Sequence, residues 1–595
     1  MANFFSKIKL PTAVDKRTHF DLSCDHVTTM DWFSPKISYI KEMVPNESIE
    51  IKQETFTRLA PMTVPTFGRI NMIHRAFFVP MRTIWRGWNS FITNTVNDIN
   101  GLVHENVPYT KNQNIITWFI SNTNNPVNTP LCSIVSDSSA PHDFVYRKTD
   151  GTTYAFVLTK KGRRAIDRLQ TLGIRINWVQ DDDTKISLLP ILCWWKLIND
   201  WYYNTQYQYN KKFDKFMEMF NNSSTASVDN YANIPYVRSS DIMDALAFEG
   251  YYDQDYFTSA WTNPNGPNRV SPITTGMSVG NVDMSAEDIN NVVSIDTQNQ
   301  AVLISPTSTV EGGTVLSQTA IDALKHLSDF LKRYQLVGSK SIDRYLARFG
   351  VNLTSEKLNR SVYIGKNNTP IQIGDVMSQS DTSGAVLGDY AGKGLGYSNE
   401  GFSYSTDEFG YLVIVSQILP KVGYVEGVNR CNLHIKPQDF YTPEFDSVGT
   451  QAIAARELLI STEGDLSHDW AASDKVFGYT PRYAEYKIGR DNLSGDYVFN
   501  SRNQGEDSWY TFRKIDSSVC PSFAGMTFVD SSYDGDQYNR IFNATTDDAD
   551  HFRVIMHFDV KDSAPMSSLY DNYEFCEKGK EVTLDINGTN LNGTN

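Results

Sequence analysis

From Ile70 to Val79 the chain has no polar face. Ile70, Met72, His74, Ala76 and Phe78 fall on one side of an extended strand, and Asn71, Ile73, Arg75, Phe77 and Val79 on the other. Large apolar groups on both sides predict a strand buried in a sandwich core. Pro80 ends it, and Ile84, Trp88 and Phe91 then recur at i, i+4 and i+7 with Trp85 beside them, which reads as a short helix or turn carrying aromatic anchors. From Asn46 the sequence alternates polar and apolar positions before reaching Pro61, Met62 and Pro65. The run from Gly410 to Pro420 is almost continuously apolar and gives the strongest β signal, a strand covered on both faces. N-L-H-I-K at 432–436 reads as a half-buried strand, and His551 to Val560 alternates cleanly as a closing strand. Tyr154 to Thr159 and Ile174 to Val179 are shorter strand candidates.

Helical spacing is rarer. Leu188 to Asn204 predicts a buried helix started by Pro190; it is too short to span a membrane and is interrupted by Lys196 and Asp200. Thr319 to Gly350 carries two apolar stripes, broken at Gly338 and Ser339. Two polar regions separate these elements, 101–187 and 205–318, the second holding a helical patch at Phe213, Phe216, Met217 and Phe220. Within it, 262–316 reads as an exposed loop or subdomain, because so long a polar stretch is seldom core.

Composition sharpens the fold class. Of 595 residues 40% are hydrophobic and 12% aromatic, and 36 Gly with 23 Pro are scattered rather than clustered. That favours a mainly β chain of many short strands and long turns, in one large domain or a few ordinary ones. A net charge of −15 excludes a generally basic nucleic-acid binder, so any phosphate contact must be local. Two basic segments qualify. One is the arm that holds Lys7, Lys9, Lys16 and Arg17, either a solvated tail or a contact with phosphate or a neighbouring subunit. The other is Lys160, Lys161, Arg163 and Arg164, either a solvated hairpin tip or a phosphate contact. Six cysteines form no C-x-x-C or close pair, the first residues lack a secretory pattern, and no run of about 18 apolar residues occurs. The expectation is a soluble chain made in a reducing cytoplasm.

Catalytic and metal chemistry finds little footing. Asp181, Asp182 and Asp183 lack the Gly and Glu of a calcium loop. Lys393 has Gly394 where a phosphate-cradling loop needs Ser or Thr, and the glycines at 392, 394 and 396 lack dinucleotide-binding spacing. His551 and His557 are poorly placed for one metal and read as core and surface histidines. Arg482 and Glu485, among three tyrosines, suit a buried polar network or a subunit contact. No cofactor is expected.

The stretch F-F-V-P-x-R-x-x-W-x-x-W-x-x-F from Phe77 to Phe91 resembles a signature of the major capsid proteins of microviruses, small icosahedral single-stranded DNA bacteriophages, and especially of their gokushovirus branch. Further elements of that family follow in its order. They include F-D-L-S at 20–23, P-M-x-x-P at 61–65, Leu189, Pro190, Ile198 and Asn199 in the Trp-rich helix, and Y-F-T-S at 256–259. Leu387 to Gly394 and the long F-G-Y-T-P-R-Y-A-E-Y-K at 477–487 continue the series. The family's trailing Arg after the helix is missing, and 101–187 aligns with nothing.

This resemblance implies an eight-stranded antiparallel jelly roll of viral capsid type, with long insertions containing helices and loops, spread over residues 1–595. It implies copies assembled as a T=1 icosahedral shell around circular single-stranded DNA, made in the bacterial host cytoplasm and found in the virion. Its partners would be other copies of itself, the genome, a small basic internal DNA-binding protein, a minor pilot protein and a host cell-surface receptor, without membrane insertion. Lys7, Lys9, Lys16 and Arg17 are the DNA-contact candidates. Trp85, Trp88, Arg482 and Tyr483 are subunit-contact candidates, each of which reads first as an intramolecular core residue. The competing class is a β-sandwich carbohydrate-binding or carbohydrate-active protein, which would need two carboxylates facing one cleft. Asp253 and Asp255 lie in the Y-F-T-S element, and no other pairing stands out.

Overall fold

The computed structural model describes residues 17–85, 87–95, 106–121, 131–135, 142–147, 153–176, 178, 184–203, 239–262, 293–294, 303–304, 359–377, 390–424, 427–446, 450–458, 476–497, 506–515, 526–532, 535–543 and 550–566. The arm before Arg17, the Asp181–Asp183 run, the stripes of 319–350 and nearly all of 262–316 lie outside them.

One large antiparallel sheet organises the chain. Its strands are β1 (Thr18–Asp21), β2 (Cys24–Met30), β3 (Lys36–Met43), β4 (Glu47–Leu59), β5 (Ile70–Pro80), β6 (Val362–Met377), β7 (Tyr390–Thr406), β8 (Gly410–Pro420) and β9 (Phe552–Ala564). The order is β1-β9-β4-β7-β6-β5-β8-β3, and β2 lies beyond β1 along the same edge of β9, giving eight lanes. The sheet divides within its longest strands. β6 pairs with β5 through residues 362–371 and with β7 through 371–377, whereas β7 pairs with β6 through 390–396 and with β4 through 395–406. At this changeover a Cβ on Gly396 would stand 3.1 Å from Ile371 Cγ1, so glycine allows the strands to cross closely. The two halves, β3-β8-β5-β6 and β7-β4-β9-β1/β2, then fold face to face. Phe78 meets Tyr404 and Tyr39 meets Phe558 across the gap, with ring centroids 5.0 and 5.2 Å apart. This is the mainly β jelly-roll arrangement.

Side-chain alternation decides what each face meets. Met72, Ala76 and Phe78 of β5, Leu412 and Ile414 of β8 and alternate residues of β4 and β9 from Ile49 to Val560 fill the space between the halves. On its other face β5 turns Phe77 and Val79 outwards, beside Val413 and Val415 of β8, into a second core. Helices cover this core: α1 (Met81–Ile84), α2 (Trp88–Ile92), α3 (Asn112–Ser121), α4 (Lys160–Thr171), α5 (Leu189–Leu197) and α6 (Ser239–Leu246). That explains why 70–80 and 410–420 read as apolar on both faces.

The inner core has a polar centre. His74 of β5 lies with Nδ1 2.9 Å from Gln53 Nε2 and 2.6 Å from Ser416 Oγ, while Nε2 faces the Thr55 and Thr369 hydroxyls at 3.3 and 3.4 Å. Ser416 in turn reaches Ser38 Oγ at 2.5 Å. Side chains of β4, β6 and β8 therefore meet the neutral imidazole of β5, and β3 joins them through Ser38.

The opposite outer face, on β7, β4, β9 and β2, has no helical cover among the described residues. Registers place its outward side chains in cross-strand rows. Glu54, His557 and Asp25 share one row, Lys52 stands opposite Asp559, and Glu50 and Asp21 flank Lys561, so in each of these rows acids face a basic group.

Three local expectations are corrected. Ile174 to Val179 is no strand where it is described; after Gly173, at φ +82°, Ile174, Ile176 and Trp178 reach the core without a ladder. Residues 432–436 form a 3-10 turn and a coil, because Asn429 caps Cys431 N–H and Asp439 Oδ2 takes the N–H groups of Ile435 and Lys436 that a strand would share. The basic knot is not a hairpin tip but the first turn of α4, capped by Thr159, which accepts from Gly162 N–H.

Candidate assembly surfaces

The residues singled out by sequence separate into three places. Lys7, Lys9 and Lys16 fall outside the described residues. Arg17 is engaged within the fold, donating to Asn46 Oδ1 at 2.8 Å, Ser48 Oγ at 3.0 Å and Ser563 O at 2.9 Å, which ties the entry of β1 to β4 and β9. Trp85 and Trp88 are buried in the helical core, their rings 5.6 and 6.0 Å from Phe91. Tyr483 is also buried. Arg482 is half-buried, with its guanidinium 4.8 Å from the Phe445 ring.

Tyr483 is the pivot of a surface built from 427–446 and 476–490. Strand Val476–Pro481, paired with Thr450–Ala454, brings it in, and Tyr483 turns the chain at φ +61°. Gln451 Oε1 accepts its N–H at 3.0 Å, and its hydroxyl donates to Phe440 O and accepts from Thr442 N–H, both at 3.2 Å. Beside it Gln451 Nε2 donates to Glu485 at 2.5 Å, and Lys487 pairs with Asp446 at 2.5 Å. The polar groups of this knot thus satisfy one another.

Beside exposed Lys436, Glu444 and Lys487, several large apolar side chains also reach solvent. Ile435 is 85% accessible and Phe440 53%, and Tyr441, Phe445, Tyr486 and Ile488 are exposed with them. Tyr441 lies 5.1 Å from Tyr483 and 5.9 Å from Tyr486, and His434 stacks on Tyr486 at 5.9 Å, so the rings form one continuous surface. Contiguous apolar surface of this kind marks a contact with another macromolecule, since a solvated monomer rarely keeps it. No short sequence motif announced it, because Ile435, Phe440 and Ile488 come from separate turns.

The alternative carbohydrate-active chemistry is not favoured at Asp253 and Asp255, which build a turn. Asp255 Oδ1 takes the N–H groups of Phe257 and Thr258 at 2.9 and 2.7 Å, and Oδ2 the Tyr424 hydroxyl at 2.7 Å, so this carboxylate staples a turn. His551 is buried and His557 exposed, as a core and a surface histidine. Among the described residues no three His, Cys, Asp or Glu side chains converge on a metal-sized site, and no helix is long and apolar enough to cross a membrane.

A jelly roll with an exposed aromatic surface is common to many shell-forming proteins, and comparison with known families decides between them. A model of the family described as "Capsid protein (F protein)" matches residues 8–113 and 184–572, most of the chain. The chain belongs to this capsid protein family. "Capsid protein VP1" of Chlamydia phage 1 is 21% identical over 569 residues, covering 86% of this chain and 88% of the relative. "Capsid protein VP1" of Bdellovibrio phage phiMH2K is 23% identical over 565 residues, covering 89% and 91%. The F capsid family match omits 114–183, inside the stretch that aligned with no family element. Members are structural proteins of the virion and not enzymes, and they assemble as multimers. The aromatic surface around Tyr483 is therefore to be read in a chain that meets copies of itself.

Proposed function

We propose that the chain closes, as many copies, into a T=1 icosahedral shell around a circular single-stranded DNA genome, and that the surface around Tyr483 is one of its subunit contacts. The observation that carries this is the cluster of exposed apolar side chains between 435 and 488, packed around Tyr483, whose own polar groups are paired within the chain. Docking there removes apolar area from water. Arg482, on its rim, is the anchor that can still reach a neighbour. Assembly is placed in the bacterial host cytoplasm.

Phe440→Asp combined with Ile488→Asp puts two carboxylates on exposed positions and leaves the internal hydrogen bonds in place. The double variant is expected to stay folded by circular dichroism and to sediment as free subunits or small oligomers where the natural chain gives closed shells. Normal shells from this variant would remove the face from the contact.

The net charge of −15 supports a separate small basic protein inside the shell, with a minor pilot protein completing the particle. The polar segment 262–316 is proposed to protrude outwards and meet the host receptor, from its composition alone. Particles lacking 262–316 are expected to assemble and to lose adsorption to host cells; unchanged adsorption would sink this assignment.

A further inference from the structure

One row of the uncovered sheet face lacks the facing acids of the rows through Glu54, Lys52 and Glu50. Arg58 on β4 stands directly opposite Arg553 on β9, with Leu395 and Thr29 completing the row on β7 and β2, and Lys393 is exposed one outward position before Leu395. Among the described residues neither arginine has a carboxylate partner, and the nearest acid in sequence, Asp550, accepts a hydrogen bond from Thr29 at 2.5 Å. Like charges directly opposite on paired strands are destabilising, so the row suits an anion that no described residue supplies.

The next row supplies the second half of a recognition surface. The registers set Tyr397, Phe56, Ile555 and Val27 side by side across four strands. Tyr397 is 62% and Val27 72% accessible, and the Arg58 guanidinium lies 5.2 Å from the Phe56 ring. Outward rows are about 6.8 Å apart and neighbouring strands about 4.8 Å. A lane of cations thus runs beside an aromatic and aliphatic lane one side chain wide.

We propose that this face binds single-stranded nucleic acid, with phosphates along Arg58, Arg553 and Lys393 and unpaired bases laid on Tyr397 and Phe56. Both lanes are required by that ligand: guanidinium groups meet phosphates, and exposed rings on a sheet stack bases whatever their sequence. A second copy of the chain fits less well. A stable contact buries about 800 Å² on each partner, far more than a strip four side chains long, and it would have to bring acids to face the arginines. The proposal rests on the reading of a shell around single-stranded DNA and names the surface that meets the strand.

Fluorescence anisotropy of a labelled oligothymidylate titrated with the full chain tests it, with sedimentation of the same samples alongside. Arg58→Gln with Arg553→Gln is expected to weaken binding at least tenfold and to flatten the log–log salt dependence by about 1.4, the share of two phosphate contacts on a single strand. Tyr397→Ala is expected to weaken binding roughly tenfold with an unchanged salt slope. Thermal unfolding without oligonucleotide separates this from misfolding, because removing the Arg58–Arg553 repulsion leaves stability equal or higher. Natural affinity in both variants overturns the proposal, and so does natural affinity with lost shell formation, which would make the row a contact between copies. Weakened binding with intact shells supports it. Failure of the natural chain to form shells would count against the shell reading alone, since oligonucleotide binding is read separately.

Discussion

Asp31→Asn is expected to destabilise the isolated subunit by about 3–5 kcal/mol in urea unfolding, the range for removing one partner of a buried ion pair. Asp31 is buried between the end of β2 and helix α4. Its Oδ2 lies 2.5 Å from Arg164 Nη2 and 3.4 Å from Lys160 Nζ, and its Oδ1 accepts Trp32 N–H at 2.8 Å. Burial alone would raise its pKa. His551, Arg164 and Lys160 outweigh that, together with Trp32 N–H, and hold the carboxyl well below the usual carboxylate range. With asparagine there, Arg164 keeps its buried position and loses its nearest counter-charge. Because the folded-state pKa lies below the unfolded one, the stabilisation is complete above about pH 4 and is lost as pH falls further. A loss below 1 kcal/mol at pH 7 would show that other acids satisfy Arg164.

The second large effect depends on pH. Burial lowers the His74 pKa to about 3, against 6.5 in the unfolded chain, and no carboxylate is among its hydrogen-bond partners. Above pH 6.5 both states are neutral. Below it the unfolded chain takes up a proton that the folded chain refuses, so stability falls progressively from about pH 6.5 towards pH 3. At 1.36 kcal/mol per pKa unit the loss reaches about 4–5 kcal/mol by the lower limit. His74→Gln keeps a hydrogen-bonding side chain and removes the titration. Its stability–pH curve is expected to be flatter than the natural one between pH 6.5 and 4, where Asp31 contributes little. Parallel curves would place the acid sensitivity elsewhere.

How much of this was legible in the sequence depends on the range of each interaction. Strands buried on both faces or one face declared themselves in periodicity, as at 70–80, 410–420 and 552–564, because burial there follows the alternation of side chains. Residues 432–436 alternate just as well, yet Asn429 and Asp439 satisfy the backbone locally and leave Ile435 in solvent. The basic knot carried a usable signal that a hairpin reading overlooks. Lys160, Arg164 and Arg168 recur at i, i+4 and i+8, one face of a helix, and Arg168 donates from that face to Pro35 O at 3.1 Å and Ser34 Oγ at 2.8 Å. Asp31, the partner of Lys160 and Arg164, is 133 residues from Arg164, and nothing local predicts the meeting. The same limit hid the Arg58–Arg553 and Tyr397–Phe56 rows, which exist only once the register of β4, β7 and β9 is known.

The position of β9 also governs the order in which the subunit can be made. Among the described residues β1 and β2, near the start of the chain, pair only with β9, and β4 is bordered on one side by β7 and on the other by β9. On a ribosome, half of the sandwich therefore waits with open edges until residue 564 has emerged. Such pairings close the longest loops in the molecule and are intrinsically slow, leaving nascent edges that can pair with other chains. Of the sheet's described strands, the one synthesised last is the one on which those synthesised first depend.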